Sequence, residues 1–146
     1  MKGKAAIALD IDGTMTTADP EALQMLSDRA KDNQLSDLYI NTARDERYCR
    51  DPSRITTQWV SKENSLCRPM YGDPVEWKIK NMKRMIEREG VTPECAVLID
   101  DLSENIAGVK SHGYIGIKVN ATKGITKDTV REVFHHLETC GVTQMD

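Results

Sequence analysis

The chain alternates short apolar runs with longer stretches in which apolar residues return every three or four positions, so strands and helices are predicted in turn along nearly its whole length. The first run, Ala5-Ala6-Ile7-Ala8-Leu9, is apolar throughout, as a strand buried on both faces is, and it breaks off into Asp10-Ile11-Asp12-Gly13-Thr14. Asp19-Pro20 supplies a helix cap and a first-turn proline, and Ala22, Leu23, Leu26 and Ala30 form the stripe of the helix behind it. A second strand is predicted from Asp37 to Thr42. A helix opened by Asp51-Pro52 then carries Ile55 and Trp59 and closes near Asn64, and a weak third strand covers Leu66 to Met70. Asp73-Pro74 repeats the start signal with Glu76 as a capping-box partner, and Val75, Ile79, Met82 and Ile86 continue the stripe until Gly90. Ala96 to Ile99 is a fourth strand ending in Asp100-Asp101. Ser103 caps a helix through Ile106 and Val109 to Gly113, and Tyr114 to Val119 is a fifth strand. Thr126 opens a last helix with Val130, Val133, Phe134 and Leu137 on one face, stopped by Gly141.

Five strand-helix units joined by short links predict an α/β architecture: a three-layer, Rossmann-like fold with a mainly parallel five-stranded sheet and helices on both faces. Right-handed crossovers bring the ends of the first, second and fourth strands to one sheet edge, where ligands of open α/β sheets bind. That edge collects Asp10, Asp12, Thr42, Asp100 and Asp101. Lys78, early in the helix after Asp73, faces the same side. The acids can hold a hard divalent cation such as Mg²⁺, and threonine, lysine and backbone N–H groups can hold a phosphate.

With 146 residues the chain suits a single domain over 1–146. A net charge of −3 and a pI near 5.6 argue against a protein held to nucleic acid by an overall basic surface. Cys49, Cys67, Cys95 and Cys140 show no C-x-x-C spacing and read as reduced thiols of an intracellular protein. The charged start Met1-Lys2-Gly3-Lys4 is followed by too short an apolar run for a signal peptide, and no window is long enough to span a bilayer. A soluble, cytoplasmic protein is expected.

Asp10-Ile11-Asp12-Gly13-Thr14, Ile40-Asn41-Thr42-Ala43-Arg44, Lys78 and Ile99-Asp100-Asp101-Leu102-Ser103-Glu104-Asn105 resemble, in order and interval, the four signature motifs of the haloacid dehalogenase superfamily. The resemblance implies a phosphomonoester hydrolase. In it Asp10 attacks phosphorus and becomes an aspartyl phosphate, while Asp12 protonates the leaving group and then activates water. It further implies Mg²⁺ held by Asp10, Asp100, the backbone carbonyl of Asp12 and, directly or through water, Asp101. Thr42 and Lys78 would bind phosphoryl oxygens, with Ala43 and Arg44 beside them as substrate contacts. Superfamily dehalogenases generally lack the second aspartate, so Asp12 points to phosphate chemistry. The stretches from Thr14 to the first helix and from Arg44 to Lys78 leave no room for a cap domain. An open, capless site suits a terminal phosphate on a larger molecule, or closure by a neighbouring subunit of a homo-oligomer.

Arg68-Pro69-Met70-Tyr71-Gly72-Asp73 is similar to a short stretch of the phosphatase domain of polynucleotide kinase/phosphatase enzymes. A nucleic-acid 3′-phosphatase is therefore a second reading, with Arg44, Arg47, Arg50, Arg54 and Arg68 as a basic rim and Trp59 or Tyr71 as a stacking surface. The plainer reading makes these arginines an ordinary solvated face and Trp59 part of the core. A 2-haloacid dehalogenase and a non-catalytic phosphate-binding module are also compatible with the motifs. Arg44 reads equally as a substrate contact or a salt-bridge partner. Asn105 reads as its own helix's cap rather than a support for the acids, and His112, His135 and His136 stand apart from the chemistry.

Overall fold

The computed structural model describes residues 4–35 and 37–143, so the charged start at Met1 to Gly3 lies outside the described residues. β1 (Ala6–Leu9) is the central strand because its alternate residues serve two cores. Ile7 and Leu9 pack with Leu23 and Leu26 of α1 (Pro20–Asp32) and with Val130, Val133 and Phe134 of α6 (Lys127–His136). Ala6 and Ala8 face Met82 and Met85 of α4 (Pro74–Glu89) and Val109 of α5 (Ser103–Ser111). Around β1 lie β2 (Tyr39–Asp45), β3 (Ser65–Arg68), β4 (Ala96–Asp100) and β5 (Ile115–Lys118), in the spatial order β3-β2-β1-β4-β5. Every pairing is parallel, which makes the sheet wholly rather than mainly parallel.

The chain runs outward from β1 through β2 to β3, then crosses back over the sheet to β4 on the other side. The β1–β4 boundary is thus the point where the winding reverses, and a crevice opens beyond the strand ends there. Register completes the placement: Leu9 lies beside Ile99, so Asp10 and Asp100 emerge as neighbours.

Two of the three Asp-Pro pairs start helices as predicted. Asp19 accepts the Glu21 N–H at 3.0 Å and Asp73 the Glu76 N–H at 2.9 Å. The third does not. A short helix that the hydrophobic pattern does not predict, α2 (Glu46–Arg50), is capped by Asp45 and ends at Asp51, which the following proline keeps out of helical geometry. The predicted helix to Asn64 shrinks to α3 (Arg54–Thr57) and a single turn at Lys62–Asn64. Ser103 is likewise no cap, since α5 starts from Leu102, whose N–H is held by Asp100.

On α4 the buried face is Lys78, Asn81, Met82 and Met85, rotated by about one position from the predicted stripe of Val75, Ile79, Met82 and Ile86. Val75 and Ile79 instead pack over Gly108 of α5, where an added methyl would lie 3.1 Å from Val75. The cysteines also depart from expectation: Cys49–Cys67 and Cys95–Cys140 are disulfides, with Cα atoms 6.1 and 5.9 Å apart. Folding alone brings these pairs within bridging reach, and the compartment inferred from reduced thiols loses its support. Among the described residues no helix is long and apolar enough to cross a membrane.

Candidate functional site

The last sheet bond of β1 is Asp10 N–H to the Ile99 carbonyl at 2.9 Å, after which the backbone turns sharply. Gly13 takes φ +74°, the left-handed region that glycine adopts freely. Its N–H is held by Thr16 Oγ1 at 3.0 Å. A methyl on Gly13 would sit 2.6 Å from a carboxylate oxygen of Asp101, so this glycine is what lets Asp101 approach β1. Asp10, Asp100 and Asp101 consequently offer oxygens that all lie within 4.8 Å of one another.

Lys78 holds this group from the α4 side. Its ammonium is 1 % exposed and donates to Asp10 Oδ1 at 2.8 Å, Asp100 Oδ2 at 2.8 Å and the Asn41 carbonyl at 2.6 Å. All three N–H bonds are thereby engaged, on two acids and a backbone carbonyl rather than on an open anion site. Asp100, fully buried, also accepts from Leu102 N–H at 3.0 Å and Asn105 Nδ2 at 3.2 Å. Asn105 is therefore a support for the acid, contrary to the helix-cap reading. Asp10 Oδ2 is the least occupied oxygen of the buried pair, with Thr14 Oγ1 at 3.5 Å.

Three carboxylates against one ammonium leave the group short of positive charge. Burial raises the Asp10 carboxyl to about 7, opposed by Lys78 and reinforced by Asp100 and Asp101. A cluster of hard oxygen donors with surplus negative charge fits a divalent cation such as Mg²⁺, which favours a few carboxylates and leaves coordination positions for phosphate oxygens.

The Asp12 carboxylate is not part of this cluster. Arg44 grips it with both arms of its guanidinium, Nε to Oδ2 at 2.9 Å and Nη2 to Oδ1 at 2.6 Å. Those bonds hold the Asp12 carboxyl below the usual carboxylate range. Thr42 is buried in the middle of β2, which runs on to Asp45 rather than ending at Thr42 as predicted, and its hydroxyl oxygen accepts the Arg44 N–H at 3.0 Å. The Ala43 carbonyl accepts Arg68 Nε at 2.6 Å.

The basic rim is largely spent on internal partners. Arg44 pairs with Asp12, Arg47 with Asp45 and Arg50 with Glu46, while Arg68 ties down the carbonyls of Ala43, Pro69 and Met70. Arg54 is exposed on α3. Trp59 packs against the core, and Tyr71 is 95 % exposed. His135 and His136 lie on α6, and His112 pairs through Nδ1 with Ser111 Oγ and the Gly108 carbonyl at the end of α5.

Two residues of this constellation carry no predicted role, although one of them, Asn41, lies inside the second motif. Asn41 donates through its side chain to the Lys78 carbonyl at 2.8 Å, and Asn81 bridges Asn41 Oδ1 and the Cys67 carbonyl at 3.2 and 3.0 Å. Both are completely buried and lock α4 to β2 and β3. The available signal was Asn81, an amide three residues after Lys78 on the same helix face.

No protein-family profile matches the chain, and no curated protein matches it in sequence. Its fold recurs in solved structures. An uncharacterized protein from Corynebacterium glutamicum superposes with a TM-score of 0.66 at 16% identity, covering 99% of this chain and 100% of that one. The core domain of a candidate phosphoglycolate phosphatase from Streptococcus pneumoniae superposes with a TM-score of 0.58 at 13% identity, covering 92% and 97%. At such identities the likeness establishes the three-layer α/β fold of this chain.

Proposed function

We propose that the protein is a phosphomonoester hydrolase of the haloacid dehalogenase kind, working through a phosphoryl group carried on Asp10. The observation that carries the reading is the convergence of Asp10 and Asp100, from strands at the winding reversal, on the single buried ammonium of Lys78 at 2.8 Å each. Two buried carboxylates this close are costly to fold, and a cation and an anionic substrate sharing the site account for keeping them. The fold neighbour named for phosphoglycolate phosphatase supports the same reading.

In the first half of the reaction an Asp10 oxygen attacks phosphorus and the bond to the leaving oxygen breaks, that oxygen taking a proton from the Asp12 carboxyl. In the second, Asp12 takes a proton from water as its oxygen attacks phosphorus, and the Asp10 oxygen leaves with the bonding pair. Thr42, whose oxygen already accepts from Arg44, has its own proton to give a phosphoryl oxygen. Lys78 keeps Asp10 and Asp100 together and lowers the repulsion an incoming phosphate meets. Asp10, Asp100 and Asp101 would hold Mg²⁺, which supplies Lewis-acid stabilisation of the transferring group when bound. Only residues 16–19 separate the turn after β1 from α1, and 69–73 separate β3 from α4. The crevice therefore lies open to a terminal phosphate on a larger molecule.

The test is hydrolysis of 4-nitrophenyl phosphate in Mg²⁺ by the wild type and by Asp10→Asn. Wild-type turnover and its loss in a folded variant are expected. Comparable rates in both would remove Asp10 from the chemistry, and halide release from a 2-haloacid without metal would redirect the assignment to a dehalogenase.

A further inference from the structure

Arg44 takes no part in these steps, yet it grips the carboxylate that moves the protons in both. Arg44 presents a flat fork to both oxygens of Asp12, so the carboxylate is fixed in plane and in rotation. The fork is itself backed. Arg44 Cζ lies 4.7 Å from the centroid of the Tyr48 ring, and the Tyr48 hydroxyl is anchored by Thr56 Oγ1 at 2.5 Å and Ser53 Oγ at 3.1 Å. Thr56 is fully buried, so the chain of contacts ends on a fixed point of α3. At its other end the Arg44 backbone is pinned by Thr42. An ion pair this exposed contributes little to folding, with 37% of the Arg44 side chain and 65% of the Asp12 side chain accessible, and its construction serves orientation instead.

Resting on the phosphatase reading, we propose that Arg44 is a positioning residue for the second half of the reaction, holding Asp12 as a carboxylate aimed at the attacking water. A carboxylate whose two oxygens each accept one N–H bond keeps a further lone pair on each oxygen for a water proton. Held in plane and in rotation, those lone pairs keep one direction, which is what the transfer of a water proton to Asp12 requires. In the step concerned, the water oxygen bonds to phosphorus, the Asp10–phosphorus bond breaks with its electron pair returning to Asp10, and the water proton goes to Asp12.

Pre-steady-state hydrolysis of 4-nitrophenyl phosphate tests this, because its leaving group departs without a proton and kcat/KM then reports the first half alone. For Arg44→Gln the expected result is a kcat lower by about 100-fold with kcat/KM reduced less than about tenfold. A burst of nitrophenolate near one equivalent per site and a trapped phosphoenzyme should accompany it. Arg44→Lys, which keeps the charge and loses the fork, should show the same burst, and Tyr48→Leu a smaller shift in the same direction. Parallel falls in kcat and kcat/KM without a burst would mark Arg44 as a substrate contact or a structural group and overturn the proposal. Full recovery by lysine would overturn the forked geometry as the cause. A wild type that turns over no phosphoester would take down the phosphatase reading, and this proposal with it.

Discussion

Replacing Lys78 by methionine isolates the electrostatic core of the site, since the two side chains have similar length and the change leaves little cavity. What it removes is the cation between two buried carboxylates and the donor to the Asn41 carbonyl. Breaking a buried ion pair from one side typically costs 3–5 kcal/mol, because the abandoned charges stay buried. Against a usual total stability of about 5–15 kcal/mol, such a loss moves a denaturant midpoint far outside error. The cost depends on pH in a definite direction. Asp10 has a carboxyl raised to about 7 in the folded chain against an ordinary value of 3.8, so the native state binds more protons between those limits. For this group stability is fully present below the ordinary value and is lost as pH rises through about 7. Without Lys78, which lowers the Asp10 carboxyl, the upper limit moves higher still. Lys78→Met should therefore be most damaged at pH 8 and recover toward the wild type near pH 5.

Urea unfolding followed by the fluorescence of Trp59 and Trp77, at pH 5 and pH 8 with and without Mg²⁺, measures the effect. The gap between variant and wild type at pH 8 should be several kcal/mol and should narrow at pH 5. Mg²⁺ stabilises each protein by about 2.7 kcal/mol at a hundred times its own Kd, so the gap should narrow only as far as the variant, its acids freed of Lys78, binds the ion more tightly than the wild type. A variant as stable as the wild type at pH 8 would refute the reasoning. So would a gap of equal size at both pH values, which would make packing rather than charge the reason Lys78 is buried.

Gly13→Ala forces a methyl to within 2.6 Å of Asp101 at a residue with φ +74°. It should lower divalent-ion affinity roughly 10–100-fold, the usual range when a supporting residue is lost. Calorimetric titration with Mg²⁺ checks this, and unchanged affinity in the variant would free Asp101 from any part in ion binding. Reducing the disulfides opens loops of sequence separation 18 and 45. By loop entropy these closures are worth about 3 and about 4 kcal/mol, which corresponds to a Tm lower by roughly 20 °C in reductant for a chain of this size. An unchanged Tm in protein whose four thiols all titrate as free would contradict the pairing.

Most of the frame was legible because it rests on local rules. β1 announced itself by an apolar run that needs two cores, and its Ile7/Leu9 and Ala6/Ala8 alternation is how the two layers share it. Asp19 and Asp73 cap helices by the local rule, each carboxylate accepting a first-turn N–H ahead of a proline. Asp51-Pro52 has the same spelling and fails because Asp45 has already started α2. Helix start signals are conditional on what the preceding residues have done. The disulfides lay beyond reach for a different reason. Separations of 18 and 45 carry no motif, and only the parallel sheet brings Cys49 of α2 over Cys67 of β3.

The rotation of α4 shows how the site itself bends the pattern. Hydrophobicity alone would turn Val75, Ile79 and Ile86 inward, yet the fully covered positions are Lys78, Asn81, Met82 and Met85. Ile79 and Ile86 still pack against the core but only partly buried, and a lysine and an asparagine take the deeper positions only where each finds a full set of partners, as here. Lys78 meets Asp10, Asp100 and Asn41; Asn81 meets Asn41 and the Cys67 carbonyl. An unpartnered ammonium at this depth would cost more than the displaced aliphatic contacts could offset, so the helix settles in this rotation only because the acids of β1 and β4 are already waiting. The polar residues of the crevice thus help set the packing of the fold that carries them. A change at Asp10 or Asp100 is consequently a change to α4 as well, and activity lost at either position must be read beside the stability of the same variant.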